Sequence, residues 1–309
     1  MKRVVITGAD GFIGSNLIER FNREKIEVWA IIYPENNLRH RIDKYDTVHC
    51  IECDIKDLEK HSDEFPDDVD AFYHLAWQGV NANDRDDLEL QLKNIDLCLQ
   101  SIKFAKSINV KKYILPGSTS EYLYYGKPID ERALPSPQNA YGSVKVALRY
   151  LAQQYATQCG LEFIYTVITG IYAADRKDNN VIFYTIDKLL KNERPSLTKL
   201  EQLWDYVNIE DVKEALYLIG EKGNGGAFYA IGKGDNQPLR NYISIIQKCI
   251  DENAEIGIGD IQYDNDILPS SCIDISKLHH DTGYMPKIEF EDGIRTVIEK
   301  LRKEEKYGR

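Results

Sequence analysis

At 309 residues, the chain is long enough for one large α/β unit or two modest domains. Its 43% apolar and 29% charged content is that of an ordinary globular protein, and a formal net charge of −11 argues against nucleic acid, whose phosphates demand a basic face. No apolar stretch reaches membrane-spanning length and the start runs directly into a strand-like segment, so neither a signal peptide nor an anchor is expected and a cytoplasmic location is the default.

Val4-Val5-Ile6 is a short apolar run of the kind carried by a strand buried on both faces. Gly8, Gly11 and Gly14 follow at the spacing G-x-x-G-x-x-G, and Ile13, Leu17, Ile18 and Phe21 then recur at helical spacing. This strand, glycine turn and helix would offer the backbone of Gly8, Asp10, Gly11, Phe12, Ile13 and Gly14, with the positive end of a helix dipole, to a pyrophosphate. A second strand, Ile26–Ile32, ends in Tyr33-Pro34-Glu35. An acid at such a strand end binds the ribose 2′-hydroxyl of NAD, whereas an arginine accommodates the 2′-phosphate of NADP. Ile32 and Tyr33 stand where the acid would fall, Glu35 comes late, and Arg39 and Arg41 follow. The pattern therefore indicates NAD(P), with NADP(H) favoured and Arg39 near the phosphate; a solvated charged segment is the alternative for both arginines.

Cys50 and Cys53 form a C-x-x-C, but no second pair exists and the run VHCIECDI reads as a strand, so no metal or redox centre is expected. That third strand, near Val48–Cys53, delivers Asp54 and Ile55. Another ends in Ala71-Phe72-Tyr73-His74-Leu75-Ala76, where His74 is assigned to the core. Leu88–Lys106 reads as a helix with Leu92, Ile95, Leu99, Ile102 and Ala105 on one face. Tyr113-Ile114-Leu115 is the next strand, and Pro116 marks its end. The sum is β-α-β-α-β-α-β, an α/β fold with a doubly wound parallel (Rossmann) sheet.

Gly117-Ser118-Thr119-Ser120-Glu121-Tyr122 follows that strand directly, at the carboxyl edge where such sheets hold ligands. Tyr141-Gly142-Ser143-Val144-Lys145 then gives a Y-x-x-x-K, and on a helix these two side chains share one face. A phenol with a pKa of about 10 is a poor base at neutral pH, but an adjacent ammonium favours the phenolate. Tyr141 is accordingly the acid/base, Lys145 its tuner, and Thr119 the hydroxyl that orients the substrate oxygen.

Taken in order, T-G-A-D-G-F-I-G, Asp54-Ile55, His74-Leu75-Ala76, the Ser-Thr after a strand and Y-x-x-x-K resemble the extended short-chain dehydrogenase/reductase family, the NAD(P)-dependent nucleotide-sugar epimerases, dehydratases and reductases. The resemblance implies that Asp54 and Ile55 contact the adenine and that Leu75 and Ala76 lie beneath the cofactor. Trp77 stands where the family usually has a second alanine, and Asn94 matches an asparagine the family keeps on this helix. Thr119-Ser120-Glu121 matches the Thr-Ser-Glu of the GDP-mannose type of 4,6-dehydratase, in which a carboxylate takes a proton from C5. Many reductases and epimerases also place a glutamate nearby, so Glu121 is read first as a buried loop cap or a ligand of substrate hydroxyls, with Ser120 beside it.

Leu161–Val167 reads as the last major parallel strand, after which the family's R-x-x-x-x-Y-G-P becomes Ile168-Thr169-Gly170-Ile171-Tyr172-Ala173-Ala174, without the arginine or the Gly-Pro. Arg176, Asn179 and Asn180 lie just beyond, each as plausible on the surface as on a sugar or diphosphate. Gln202-Leu203-Trp204-Asp205-Tyr206-Val207 resembles the family's Q-x-R-D-Y-V with Trp204 for the arginine, and Asp211 opens an apolar helix as cap or ligand. Phe228–Gly232 is a further strand, and Arg240, opening a helix, is the candidate for the nucleotide diphosphate.

These expectations divide the chain into a dinucleotide-binding unit, residues 1–167 plus 203–231, and a nucleotide-sugar lobe, 168–202 plus 232–309. The implied activity is NAD(P)-dependent reduction or epimerisation at a 4-keto (deoxy)sugar of a nucleotide-linked hexose. Alternatives are a 4,6-dehydratase with Glu121 as base and a non-catalytic NAD(P) sensor, though loss of the tyrosine or lysine would mark the latter and both are present. The expected partner is a nucleotide-diphosphate sugar, with no nucleic acid and no membrane; family members often dimerise through the helices that are here Leu88–Lys106 and Tyr141–Gln158.

Overall fold

The computed structural model describes residues 1–36, 38–175, 180–263 and 268–307, with side chains through 304. Seven runs become strands of one sheet: β1 (Arg3–Thr7), β2 (Glu27–Ile32), β3 (Val48–Glu52), β4 (Ala71–His74), β5 (Lys112–Ser118), β6 (Glu162–Ile168) and β7 (Phe228–Ile231). Their order is β3-β2-β1-β4-β5-β6-β7, and every neighbouring pair is parallel. β6 is therefore not the last parallel strand; β7 pairs outside it. The order reverses between β1 and β4, which opens a crevice at their carboxyl ends.

The period-two alternation along β1 sends Val5 to one core and Val4 and Ile6 to the other, and this two-sided burial explains why the strands read as continuous apolar runs. Helices α1 (Phe12–Arg23), α2 (Leu88–Ser107), α3 (Ala140–Gln158), α4 (Val181–Leu190) and α5 (Ile209–Lys222) follow in the chain. The Val5 core takes in Cys98, Ile102 and Ala105 of α2 and Leu148 and Ala152 of α3; the opposite core takes in Leu17 and Phe21 of α1 and Val212 and Leu216 of α5.

The face expected for α2 is only half correct. Ile102 and Ala105 are buried, but Leu92 is 47% exposed, and the inward face carries Gln91, Asn94 and Ser101. These polar residues are tolerated because each is bonded: Gln91 Nε2 donates to Gly79 O, Asn94 Oδ1 accepts from Gln78 N, and Ser101 Oγ lies 2.6 Å from the Tyr113 hydroxyl. A second apolar stripe of α2 is left pointing outward.

A third core collects Ile182 and Ile186 of α4, Tyr242 of α6 (Leu239–Ile250) and Phe290 and Ile294 of α8 (Phe290–Tyr307); α7 (Ser276–Thr282) lies between the last two helices in sequence. Its centre is aromatic, with Tyr242 edge-on to Phe290 at 4.7 Å and to Tyr206 at 5.0 Å. Asp211 is not the cap of α5. Asn208 caps that helix by accepting from Glu210 N, while the Asp211 carboxylate accepts from Lys287 N at 2.8 Å and Ile288 N at 3.0 Å, tying the C-terminal segment down. No described helix is long and apolar enough to cross a membrane.

Candidate active site

The carboxyl ends of β1 and β4 are joined by short-range contacts. Gly8 has a φ of +64°, and a Cβ there would sit 2.8 Å from Ala76 N, so only glycine makes this turn and this approach. The hydroxyl of Thr7 accepts from Ala76 N at 3.2 Å and lies 3.1 Å from His74 Nδ1, which is also 3.1 Å from Ser101 Oγ. Burial, reinforced by Lys145, pushes His74 down to about 3, so it is a neutral member of this buried network.

The cradle fits a dinucleotide. Residues Gly8 and Gly14 leave no room for a side chain against the main chain, no side chain caps α1, and no acid occupies its first turn. Asp10 is buried, its Oδ2 has no partner, and its carbonyl accepts from Arg41 Nη1 at 3.4 Å. Arg39, expected at a 2′-phosphate, is exposed and paired with Glu52. Beside it, a groove of about 270 Å³ is lined by Tyr33, Glu35, Glu52, Asp54 and Asp57. Asp54 spends one carboxylate oxygen capping the following turn, accepting from Lys56 N at 3.0 Å. Ile55, Leu75 and Ala76 are half-buried at the same edge.

Beyond β5, Thr119, Ser120 and Glu121 form a single helical turn whose side chains are all buried. Ser118 caps it, and Glu121 Oε1 reaches back to accept from Ser118 N at 2.7 Å and from the Tyr165 hydroxyl at 2.8 Å. Glu121 is fully buried and closes this capping box, as the first of its two expected readings, a buried loop cap, requires. Its Oε2 is buried without a partner, and burial raises the carboxyl to about 7, against the Ser118 N–H, the Tyr165 hydroxyl, Lys145 and Arg149.

Asn139 caps α3 by accepting from Gly142 N at 2.8 Å, which starts the helix one residue before Tyr141. A Cβ on Gly142 would lie 2.5 Å from Ser120 O, so the helix start packs hard against the Thr119 turn. Lys145 is buried one turn on; its Nζ donates to Pro116 O at 2.8 Å and lies 5.8 Å from the Tyr141 ring centroid. Burial pulls it down to about 8, opposed by Glu121 and Cys98. The segment after β4 wraps this pair: Trp77 is edge-on to Tyr141 at 5.6 Å, and Arg85 lies 5.3 Å from the same ring and accepts from Tyr141 N through its carbonyl.

The substrate residues are not brought together in this way. Asn180 caps α4, its Oδ1 accepting from Ile182 N and Phe183 N. Arg240 is exposed and donates to Lys199 O at 3.0 Å. Arg176 and Asn179 lie outside the described residues. Sequence reasoning missed Arg85, Gln91 and Tyr165, which lie in no motif; Trp77 carried a signal only as a departure. A cavity of about 820 Å³ sits at the opposite edge, around Lys112, Glu162 and Gly223–Gly226; its lysines are spent on the carbonyls of Gly220 and Thr282. Among the described residues, no His, Cys, Asp and Glu cluster could hold a metal ion.

Residues 4–232 match the model of the NAD dependent epimerase/dehydratase family. The chain is 24% identical to a dTDP-glucose 4,6-dehydratase of Haemophilus influenzae, with 96% of this chain and 97% of that one covered. It is 23% identical to a GDP-6-deoxy-D-mannose reductase of Pseudomonas aeruginosa, covering 96% of each. Among solved structures, the UDP-glucuronic acid 4-epimerase of Bacillus cereus, in complex with UDP-glucuronic acid and NAD, has a TM-score of 0.83 at 22% identity over 97% of this chain and 99% of that one. A UDP-N-acetylglucosamine 4-epimerase of Methanobrevibacter ruminantium has a TM-score of 0.84 at 22% identity, covering 98% and 99%.

Proposed function

The chain belongs to the NAD-dependent epimerase/dehydratase family, and on that premise we propose that it reduces or epimerises a nucleotide-linked hexose at a 4-keto or 4-hydroxyl ring carbon. The observation that carries this reading is the buried Lys145 ammonium set one turn below Tyr141, beside the Thr119 turn at the carboxyl edge of the sheet. Held there, the cation favours the phenolate, so Tyr141 can take the proton of a ring hydroxyl or return one to an alkoxide. Thr119 and Ser120 orient that oxygen. The nicotinamide, when bound, supplies hydride transfer at the same carbon. A panel of UDP-, GDP-, CDP- and dTDP-linked sugars and their 4-keto forms tests the reading: net consumption of reduced nicotinamide marks a reductase, and a changed sugar without it marks an epimerase. Tyr141→Phe should abolish turnover while leaving dinucleotide affinity nearly unchanged; a variant as fast as the parent would defeat the assignment.

The dehydratase alternative has one observation in its favour, since a carboxyl raised to about 7 with an unpartnered oxygen is poised as a base. Complete burial of Glu121 speaks against it. A 4-keto-6-deoxy product in the same panel would reverse that judgement.

For the cofactor, the initial preference for NADP(H) gives way to NAD. Arg39 is occupied by Glu52, and the groove after β2, where Glu35 and Asp54 line the wall with the ion-paired Glu52 and Asp57 and with His61, suits a ribose hydroxyl better than a 2′-phosphate. Quenching of protein fluorescence should report at least about tenfold tighter binding of NAD than of NADP, from the charge repulsion at that groove. A two-part division of the chain draws support from the third core, although Tyr206 lies in that core and Leu278 and Tyr284 pack into a core of the sheet. Six free cysteines suit a reducing, cytoplasmic compartment. A homodimer would cover the outward stripe of α2 and α3, where Leu88, Leu92, Tyr150 and Leu151 are 47–55% exposed beside an apolar groove. Light scattering that gives a monomer at micromolar concentration would dispose of the dimer.

A further inference from the structure

Lys145 is a buried cation with an unusual companion. No carboxylate among the described residues pairs with it directly, and its Nζ lies 3.5 Å from the centroid of the Trp77 indole. That ring is fixed by contacts separate from the catalytic pair: its Nε1 donates to Gln91 Oε1 at 2.9 Å, and Gln91 is itself buried, donating to Gly79 O at 2.7 Å and Asp84 O at 3.0 Å. The other side of the arrangement is Tyr141, edge-on to the same indole at 80°. A cation over an indole face is attracted by the ring quadrupole, and most strongly where water is excluded.

The groups facing Lys145 from every packed element can be named. Cys98 on α2 is pushed up to about 12 by burial, and His74 on β4 down to about 3, so both are neutral near pH 8. Pro116 O on β5 is a fixed dipole. The charge left to face the ammonium is Glu121, itself faced by Arg149, while Arg85 faces Tyr141. The indole face at 3.5 Å thus joins the Pro116 carbonyl and Glu121 in holding Lys145 charged while burial opposes it.

We infer that Trp77 is a positioning residue for the catalytic pair: its indole face keeps the Lys145 ammonium charged and seated below Tyr141, and so sets the pH at which Tyr141 ionises. This rests on the roles given above to Tyr141 and Lys145. It makes the residue that departs from the family pattern a part of the machinery.

The test compares Trp77→Leu, which keeps bulk and dryness without a ring, with Trp77→Phe, which keeps a ring without the indole N–H. Tyrosinate absorbance is titrated in each protein and in its Tyr141→Phe derivative, so that the difference isolates one of 20 tyrosines. Trp77→Leu should raise the Tyr141 step by about half a pH unit or more, with Trp77→Phe recovering most of that shift and the acid limb of kcat moving in parallel. Superimposable titrations of Trp77→Leu and parent overturn the inference. So does an equal shift in both variants, which would give the role to the Gln91 bond. Should Trp77→Leu fail to fold, the three tryptophans can be replaced biosynthetically by fluorinated analogues; the step should climb with fluorination, and a flat series overturns the idea. If Tyr141→Phe turns over at the parent rate, the proposed function fails; if only the Trp77 series is flat, this inference alone fails.

Discussion

The edge of the sheet at β1, β4 and β5 and the region built on the third core differ in how their chemistry is built. On the first side, Gly8 lies against Ala76 and Gly142 brings α3 onto the Thr119 turn by main-chain contacts, and the Thr7 hydroxyl holds Ala76 N. In the lobe, the side chains picked out for substrate are engaged elsewhere: Asn180 in a helix cap, Arg240 on Lys199 O, and Glu121, at the boundary, in a sealed turn. A glycine loop or a Y-x-x-x-K states its own geometry, because backbone periodicity and chain reversal fix it locally. A polar side chain in a lobe states only that it is polar; its neighbours decide what it does.

The largest effect should come from the best-built part of the crevice. Lys145→Met should lower kcat by about a thousandfold at neutral pH, since the phenol loses the cation that favours its ionised form. Part of the loss should be recovered at alkaline pH, where Tyr141 ionises unaided; a variant with no alkaline recovery would mean that the lysine acts by binding alone. Gly142→Val comes next. Its added carbons would enter the space 2.5 Å from Ser120 O, so α3 must back away from the Thr119 turn. Urea unfolding should show a loss of about 1–3 kcal/mol, with a fall in turnover larger than that stability loss explains.

Glu121 sits on the border between the two regions, and pH separates its roles. Burial keeps it protonated up to about pH 7, whereas its ordinary value is 4.5. The folded state therefore holds an extra proton between those values, so this group's contribution to stability is full below 4.5 and is lost as pH rises toward 7. Lys145, lowered to about 8, gives the opposite slope only at higher pH. Glu121→Gln has no such proton, so its unfolding midpoint relative to the parent should rise steadily across that window and then level off. A constant difference from acid to neutral pH would show that Glu121 is already ionised in the folded protein.

The order of elements and the parallel sheet were legible because strands buried on both faces read as continuous apolar runs. The edge strand Phe228–Ile231 was recognised as a strand, but its place beyond β6 was not, since pairing is a tertiary fact. The outward and inward faces of α2 were misassigned because apolar periodicity alone misses buried polar residues: Gln91 and Ser101 turn inward to partners 7 or more positions away in sequence. The same blindness hid the hold of Tyr165 on Glu121, 44 residues apart, and of Gln91 on Trp77. It also let Arg39 pass for a phosphate ligand when Glu52 takes it.

The smallest effect expected is the one that most sharpens the contrast. Asn180 was a candidate for sugar or diphosphate, yet its Oδ1 accepts from Ile182 N at 3.0 Å and Phe183 N at 3.1 Å, satisfying two otherwise unpaired donors at the start of α4. That helix delivers Ile182 and Ile186 to the third core, so the cap works on the lobe's stability. Asn180→Ala should cost about 1 kcal/mol in urea unfolding, and Asn180→Ser, which can cap, should restore most of it. The Michaelis constant for the nucleotide sugar should stay within about twofold in both, because no binding interaction worth more than a few tenths of a kcal/mol is removed. Had the amide been placed for the sugar, the serine variant would recover the stability and not the Michaelis constant. That split would return Asn180 to the substrate and erase the difference drawn here between the two regions.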